Sequence, residues 1–405
     1  MASDKTAEAA IPLTRLPGLR PFAHVFDRLS AGHLRIRLGD FVHELHGSEP
    51  GPAGELRIHR PLQLARRLAT KSHVGLGEAY LAGDWDSPDP AALLHLLAVN
   101  EHRFNAVERV GPLHRVLSLL KHRRRRNSRS GSRRNIAYHY DLGNEFYRLW
   151  LDPGMTYSAG VFEREQDTLE QAQQNKYRRM LDLIGAKPGD HVLEIGCGWG
   201  GFARAAAERG LQVTGVTLST EQLAWARSTI AATPFASQVE LRLQDYRDLD
   251  GQFDHIVSIE MFEAVGDDYW DAYMAQLRRC LRPGGRAALQ VITIDESMFE
   301  DYKANPDFIQ QYIFPGGMLP SVERFDALTA RAGLKIASRS FHALDYARTL
   351  ALWHQRFLEH EDEVRALGYD ERFIRMWRYY LAYCEAGFRD ERINVIQVVL
   401  ERETT

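Results

Sequence analysis

Gly196, Gly198 and Gly201 stand at the spacing G-x-G-x-x-G within VLEIGCGWGGFA (192–203). At a strand–loop–helix junction such glycines let the backbone approach a ligand closely, and the helix start offers free N–H groups. That chemistry serves dinucleotides and S-adenosylmethionine (SAM) alike, and a plain turn packing a helix on a strand uses the same glycines. Three neighbours discriminate. Glu194 closes the strand two residues before Gly196, where an acid suits sulfonium and ammonium groups and repels a pyrophosphate. The second strand ends in Val216-Thr217-Leu218, without the acid that a dinucleotide fold keeps there for ribose. Gln244-Asp245-Tyr246 closes the third strand with polar groups suited to an adenine edge. Together they favour SAM. Cys197 has no neighbouring base and reads as a small loop residue.

The elements that must hold this loop alternate. HVLEIG, FARAAAERG, LQVTGVTL, EQLAWARSTIAA, VELRLQD, FDHIVSIE and RAALQVITI read as strand-like and helical runs in turn. Alternation implies right-handed crossovers and a mostly parallel sheet covered on both faces. Two helical insertions are expected at about 298–330 and 345–388, and INVIQVVLER closes the chain as a strand in an edge hairpin beside strand five. The alternation reads as an α/β, Rossmann-like fold class. A small α+β domain precedes it, with strands at HLRIRLG and GELRIHR and helices at PLQLARRLA and PAALLHLLAV. Residues 1–20 read as a loose arm, 21–120 as the small domain, 121–135 as a basic linker and 136–405 as the methyltransferase domain.

Composition excludes several classes. The chain has 405 residues, 44% apolar and 26% charged, with net charge −3, so electrostatic attraction must come from local patches. Cys197, Cys280 and Cys384 have no metal-site or paired spacing, which fits a reducing compartment. MASDKTAEAA lacks an apolar signal region, and no apolar run approaches the roughly 20 residues that span a bilayer. The expectation is a cytoplasmic protein that touches the inner face of a membrane only peripherally. KHRRRRNSRSGSRR (121–134) carries eight Lys/Arg and no acid. It reads as a solvated linker, or as a patch drawn to anionic lipid at roughly 1 kcal/mol per basic residue. Nucleic acid is not expected, because no RNA-binding motif, zinc-finger spacing or aromatic platform accompanies the run.

AYHYDLGNEFYRLWLDPGMTYSAGVFE (137–163), VLEIGCGWGGFA, LQDYRDL (243–249), MFEAVG (261–266), YIFPGGMLPS (312–321), DYARTLALW (345–353) and the final QVVLER resemble the cyclopropane-fatty-acid synthases in order over 135–405. The resemblance implies SAM-dependent methylation of the cis double bond in unsaturated acyl chains of membrane phospholipid. It also implies that the fold is of the class I SAM methyltransferase type, and a homodimer through the N-terminal domain. It places SAM against Tyr157 and Ser158, against Gly196, Gly198 and Gly200, and against Thr217, Leu218 and Gln222, with Tyr246 near the adenine. A bound bicarbonate is the family's base, and its shell maps onto His139, Glu263 and Tyr346. Three positions depart from the family pattern: Ala159 replaces a Cys, while Ala264 and Gln290 replace His residues. Gln290 keeps a donor in its amide, but the anion shell is thinner.

An alkene is a poor nucleophile and must be held in line with the sulfonium methyl in a dry pocket. The resulting cation can lean on aromatic faces, and Tyr157, Phe162, Phe262, Tyr312, Phe314 and Tyr346 lie in or beside the matching motifs. Proton loss then decides the product, with Glu263 as the candidate for being or positioning the base. Loss from the new methyl group closes a cyclopropane. Loss elsewhere gives a methyl- or methylene-branched product, or a precursor of furan-type fatty acids. A SAM- or lipid-binding protein without catalysis is the alternative from another class.

Overall fold

The structure is a computed structural model that describes residues 29–101 and 142–404. The expected N-terminal arm, the basic linker and His139 lie outside the described residues. The described chain divides into two compact units, each considered by itself.

The first unit begins with β1 (Ala31–Leu38), β2 (Phe41–His46), β3 (Glu49–Ile58), α1 (Pro61–Leu81), β4 (Trp85–Asp86) and α2 (Pro90–Val99). Its sheet runs β2-β1-β3-β4, with β1 antiparallel to β2 and parallel to β3. Alternation in HLRIRL turns Leu34 and Ile36 inward, and both are buried. Asp89 caps α2 by accepting from the Ala92 N–H, and Pro90 follows where its missing N–H costs nothing. The Asn100 amide then ties the end of α2 to β1, donating to Leu96 O at 2.8 Å and Ala31 O at 3.0 Å.

The second unit opens with α3 (Asn144–Arg148) and α4 (Leu169–Ile184). A Thr168/Gln171 capping box starts α4, and Gly185, with φ of 66°, stops it in the left-handed region. There follow β5 (His191–Ile195), α5 (Gly201–Glu208), β6 (Gln212–Thr217), α6 (Thr220–Ala231), β7 (Val239–Leu243), β8 (Phe253–Ile259), α7 (Trp270–Cys280) and β9 (Leu281–Ile294). The insertion expected at 298–330 is α8 (Glu296–Ala304), α9 (Phe308–Tyr312) and α10 (Val322–Arg331). Then come β10 (Lys335–Phe341), α11 (Ala343–Glu359), α12 (Glu361–Ala366), α13 (Glu371–Arg389) and β11 (Ile393–Glu401).

The seven-stranded sheet has the order β10-β11-β9-β8-β5-β6-β7. The five strands β5 to β9 are parallel, as the alternation requires. The closing strand β11 lies between β9 and β10, antiparallel to both, from Ile393 opposite Ile294 to Glu401 opposite Arg286. The edge itself is β10, KIASRSF, whose partly exposed, weakly apolar pattern carries little strand signal. Strand order reverses between β5 and β8, so a crevice opens above their carboxyl ends.

One boundary differs from the expectation that 136–405 is a single domain. Residues Gly368–Asp390, which contain α13, belong to the first unit. Arg375 of α13 is the anchor: its guanidinium donates to Tyr80 O at 2.6 Å and Trp85 O at 2.9 Å, and pairs with Asp86 at 3.1 Å. It also lies over the Tyr80 ring, 4.1 Å from the centroid. The apolar spacing of α13 says only that one face is buried; which unit buries it is decided by contacts remote in sequence. Arg375→Ala should lower stability by about 3 kcal/mol, since two carbonyls and a carboxylate lose a charged donor. Denaturant unfolding followed by tryptophan fluorescence checks this, and a loss under about 1 kcal/mol would show that α13 docks without it.

Candidate active site

The crevice at the switch point is lined by strand ends and by the loop before α4. Of the residues expected to hold SAM, Tyr157, Ser158, Glu194, Gly196, Gly198, Thr217, Leu218, Gln222, Gln244 and Tyr246 line it. Gly196 has φ of 87°, and a Cβ there would meet Met261 Cγ at 2.8 Å; Gly198 has φ of 50° and faces open space. A side chain at either position would be strained and would intrude on the cradle. Thr217 and Gln222 are joined side chain to side chain at 3.0 Å, which presents both from β6 and the start of α6. Glu194 is buried, its Oε2 has no hydrogen-bonding partner among the described residues, and burial pushes its carboxyl up to about 8. A cationic ligand would satisfy that oxygen. These features fit SAM.

Two expected contacts do not line the crevice. Gly200 is the left-handed residue before α5, with φ of 88°, and a Cβ on it would press on Ala226 Cβ at 3.1 Å. Its work is helix packing. Asp245 is committed to Arg247 at 2.8 and 2.7 Å and caps the short turn Tyr246–Asp248.

Ser158 is held by α4, whose inward face reads Leu169, Ala172, Gln173, Lys176, Met180 and Ile184. Two members of this apolar stripe are polar because they serve the loop. Gln173 donates to Ser158 O at 2.9 Å, and Lys176 Nζ donates to Ser158 Oγ at 2.5 Å. Burial draws the Lys176 amine down to about 8, opposed by the charges of Glu260, Asp152 and Glu194. Helix α11 fastens the other end of the loop, because Gly160 N–H donates to Thr349 Oγ1 at 3.1 Å and Phe162 N–H to Asp345 Oδ1 at 3.0 Å.

Two of the candidate catalytic residues, Tyr346 and Gln290, meet at a side chain that sequence reading passed over. Glu260 follows β8 and lines the crevice. Its Oε1 accepts from Ala159 N–H at 2.8 Å and from Gln290 Nε2 at 2.7 Å, and its Oε2 accepts from Tyr346 Oη at 2.9 Å. Gln397 Nε2 donates to Gln290 Oε1 at 2.9 Å, which leaves the Gln290 amine facing Glu260. Burial pushes the Glu260 carboxyl up, opposed by Lys176 and by the three donors. The available signal was an acid ending a strand at the carboxyl edge of a parallel sheet.

Glu263, the expected base, does not line the crevice. Its Oε1 accepts the Ile292 N–H, its backbone carbonyl accepts Met318 N–H at 2.9 Å, and its Oε2 has no partner among the described residues. Burial first, and then the Glu260 charge, push its carboxyl up to about 8. Of the candidate catalytic residues, Gln290 and Tyr346 meet at Glu260, Glu263 braces β9 and the 314–318 loop, and His139 lies outside the described residues.

Aromatic rings gather beside the carboxylate. Tyr157 has ring centroids at 5.5 Å from Tyr147, 5.4 Å from Trp150, 5.3 Å from Trp353 and 6.4 Å from Phe314. Tyr346 meets Trp353 at 6.0 Å. Three of the expected aromatics are elsewhere: Phe262 stacks on Trp270 in the core, Phe162 lies under Arg348, and Tyr312 stacks on Phe308. Trp150 and Trp353, both buried, pack behind Tyr157. Each lies in a stretch that carries the family resemblance but shows nothing special in isolation.

A raised carboxyl pKa means the folded state binds a proton that the unfolded state gives up. For Glu263, ordinary value 4.5 and folded value about 8, that stabilisation is fully present below 4.5 and is lost as pH rises through about 8. Glu263→Gln keeps the acceptor for Ile292 N–H and removes the titration. Its melting temperature should fall less than that of the parent chain between pH 6 and pH 9, and turnover should stay within about tenfold. Parallel melting curves across that range, or a larger loss of turnover, would refute the structural role.

The comparisons agree with this architecture. The sequence pattern of the family described as mycolic acid cyclopropane synthetase matches residues 127–398. The tuberculostearic acid methyltransferase UfaA1 of Mycobacterium tuberculosis is 42% identical over 389 residues, covering 93% of this chain and 90% of that protein. The cyclopropane-fatty-acyl-phospholipid synthase of Escherichia coli is 37% identical over 367 residues, 88% of this chain and 90% of that one. Among solved structures, the cyclopropane synthase MmaA2 from Mycobacterium tuberculosis superposes with a TM-score of 0.62 at 34% identity, covering 66% of this chain and 97% of that one. The mycolic acid cyclopropane synthase CmaA1, complexed with S-adenosylhomocysteine (SAH) and CTAB, gives 0.62 at 31% identity, with 66% and 97% covered. The pattern match over most of the chain, together with these identities, makes the chain a member of the mycolic acid cyclopropane synthetase family.

Proposed function

We propose that the chain transfers the methyl group of SAM to a cis double bond in the acyl chain of a membrane phospholipid. The product of this reading is a methyl- or methylene-branched chain that is still unsaturated. The observation that carries it is Tyr157, which lines the cradle and is backed by a cluster of Trp150, Trp353 and Phe314. SAM supplies an electrophilic sulfonium methyl. Gly196 and Gly198 let the backbone close on that cofactor, and Glu194 offers a free carboxyl oxygen. Tyr157, with the cluster behind it, excludes water and holds the alkene in line. Its ring face stabilises the cation left on the acyl chain by about 2 kcal/mol or more when desolvated.

Ring closure shares every step up to the cation, and the relation to the Escherichia coli synthase favours it as a second reading. Branching is preferred for two reasons. Identity to UfaA1, a methyltransferase by name, is 42%, and the chain departs from the expected anion shell at Ala159, Ala264 and Gln290. Expression in a host with monounsaturated phospholipids, fed methyl-labelled SAM precursor, should place label in the lipid with a gain of one CH2. Proton NMR should then show vinylic or methylene signals from the branched product. Strongly upfield ring-proton signals would make it a cyclopropane synthase, and no label in lipid would sink the enzyme reading.

The same reading places the chain peripherally on the cytoplasmic face of the membrane. Its support is the run 121–134, with eight basic residues and no acid. No helix among the described residues is long and apolar enough to cross a membrane. Binding to vesicles rich in anionic phospholipid should fall steeply as salt shortens the Debye length from about 10 Å at 0.1 M to about 3 Å at 1 M. Binding indifferent to both salt and lipid charge would discard the electrostatic part.

A further inference from the structure

Glu260 sits where a carboxylate is costly in two ways. It is half-buried in the wall of the crevice, and its φ of 48° lies in the left-handed region that favours glycine. Backbone strain of this kind persists where the surroundings over-determine it. Here they do: Glu260 N–H donates to Gln290 O at 2.8 Å while the Gln290 amine holds Oε1. The donors come from three separate elements, the loop at Ala159, strand β9 at Gln290 and helix α11 at Tyr346. Gln290 is oriented by Gln397, and Gln397 Oε1 in turn accepts from Arg179 Nε at 2.7 Å. A packing residue would not need a chain of three side chains, Gln290, Gln397 and Arg179, to aim it.

The bicarbonate expected from the resemblance does not fit these residues. Of its expected shell, Tyr346 already donates to Glu260 and Glu263 is taken up by the Ile292 N–H, while the remaining nearby donors, Gln290 and the Ala159 N–H, are also spent on Glu260. A second anion would face a carboxylate across hydrogen-bonding distance, with Lys176 the one buried cation among the described residues whose charge bears on Glu260. We propose that Glu260 is the general base of the reaction and that its carboxylate occupies the position of a bound anion. This rests on the reading of the chain as an alkene methyltransferase.

The step balances without another reactant. The alkene π pair forms the new C–CH3 bond while the S–CH3 pair withdraws onto sulfur, leaving neutral SAH and a cationic acyl carbon. A proton on a neighbouring carbon passes to a Glu260 oxygen, and its C–H pair makes the new double bond. Tyr346 Oη, bonded to Oε2, can turn to accept once that oxygen carries the proton. The Lys176 charge favours the ionised form of Glu260 against its desolvation, and the base is that carboxylate. Release of SAH opens the crevice to water, which takes the proton.

Two measurements decide the matter. Calorimetric titration of the full chain, saturated with SAH, with bicarbonate and with borate should give no binding heat. Glu260→Gly vacates the position and should gain a site for these anions. Binding of either anion by the parent chain that Tyr346→Phe abolishes would overturn the proposal, as would a folded Glu260→Gly that gains no site. Should the glycine variant fail to fold, Glu260→Gln keeps the shape. It should bind SAH as the parent does yet lose turnover by at least about 100-fold in CO2-free buffer, the usual scale for a general base. Retention of more than a tenth of turnover in that buffer would refute the base. If the parent chain methylates no lipid, the function reading fails, while the anion titrations still decide whether Glu260 fills the anion position.

Discussion

A buried carboxylate must be compensated by donors or it unfolds its surroundings, and Glu260 imposes that requirement on the whole second unit. Its two oxygens take donors from a loop before α4, from β9 and from α11. Ala159, Gln290 and Tyr346 lie 101, 30 and 86 residues from Glu260 along the chain. The crevice can be shaped correctly only when the parallel sheet, the insertion leading to α11 and the closing strand β11 are all in register. Strand β11 matters because Gln397 orients the Gln290 amide. The compensation therefore links the last strand of the chain to the cofactor loop.

The balance of charge around it is close. Glu194, Glu263 and Asp152 are buried acids, Glu260 is a half-buried one, and Lys176 is the buried base that the nearby carboxylates act upon. Burial pushes each of the four carboxyls up, yet their surroundings differ. Glu260 accepts three hydrogen bonds, whereas Glu263 has one oxygen with no partner among the described residues. The neighbours therefore divide the labour, with Glu263 suited to a neutral acid that braces β9 and Glu260 to an anion. Pairs whose surroundings push their titrations apart mark acid and base roles in an active site.

The two carboxyls also explain how a thin shell can work. Ala159, Ala264 and Gln290 remove side chains that the family resemblance leads one to expect. The Ala159 N–H remains because backbone groups survive substitution, and the Gln290 amide replaces a ring donor. A carboxylate attached to the chain needs fewer contacts than a free anion, because it loses no translational freedom on binding. Fewer donors therefore suffice.

Much of the molecule was legible from its residues alone. Period-two and period-3.6 patterns determined five parallel strands and their helices, because local hydrophobic spacing dictates which face of each element is buried. The glycine spacing, Glu194 and Thr217 identified the cofactor cradle, since backbone conformation and the charge of a neighbour act over a few residues. Tertiary structure decided what depended on distant partners. It assigned α13 to the first unit through Arg375, placed β11 inside the sheet, moved Gly200 from ligand contact to helix packing, and turned Glu263 away from the crevice. Above all it singled out Glu260, an ordinary acid at the end of a strand until residues 159, 290 and 346 close on it. Hydrogen bonds between groups a hundred residues apart leave no periodic trace in a sequence, so only the folded chain could reveal them.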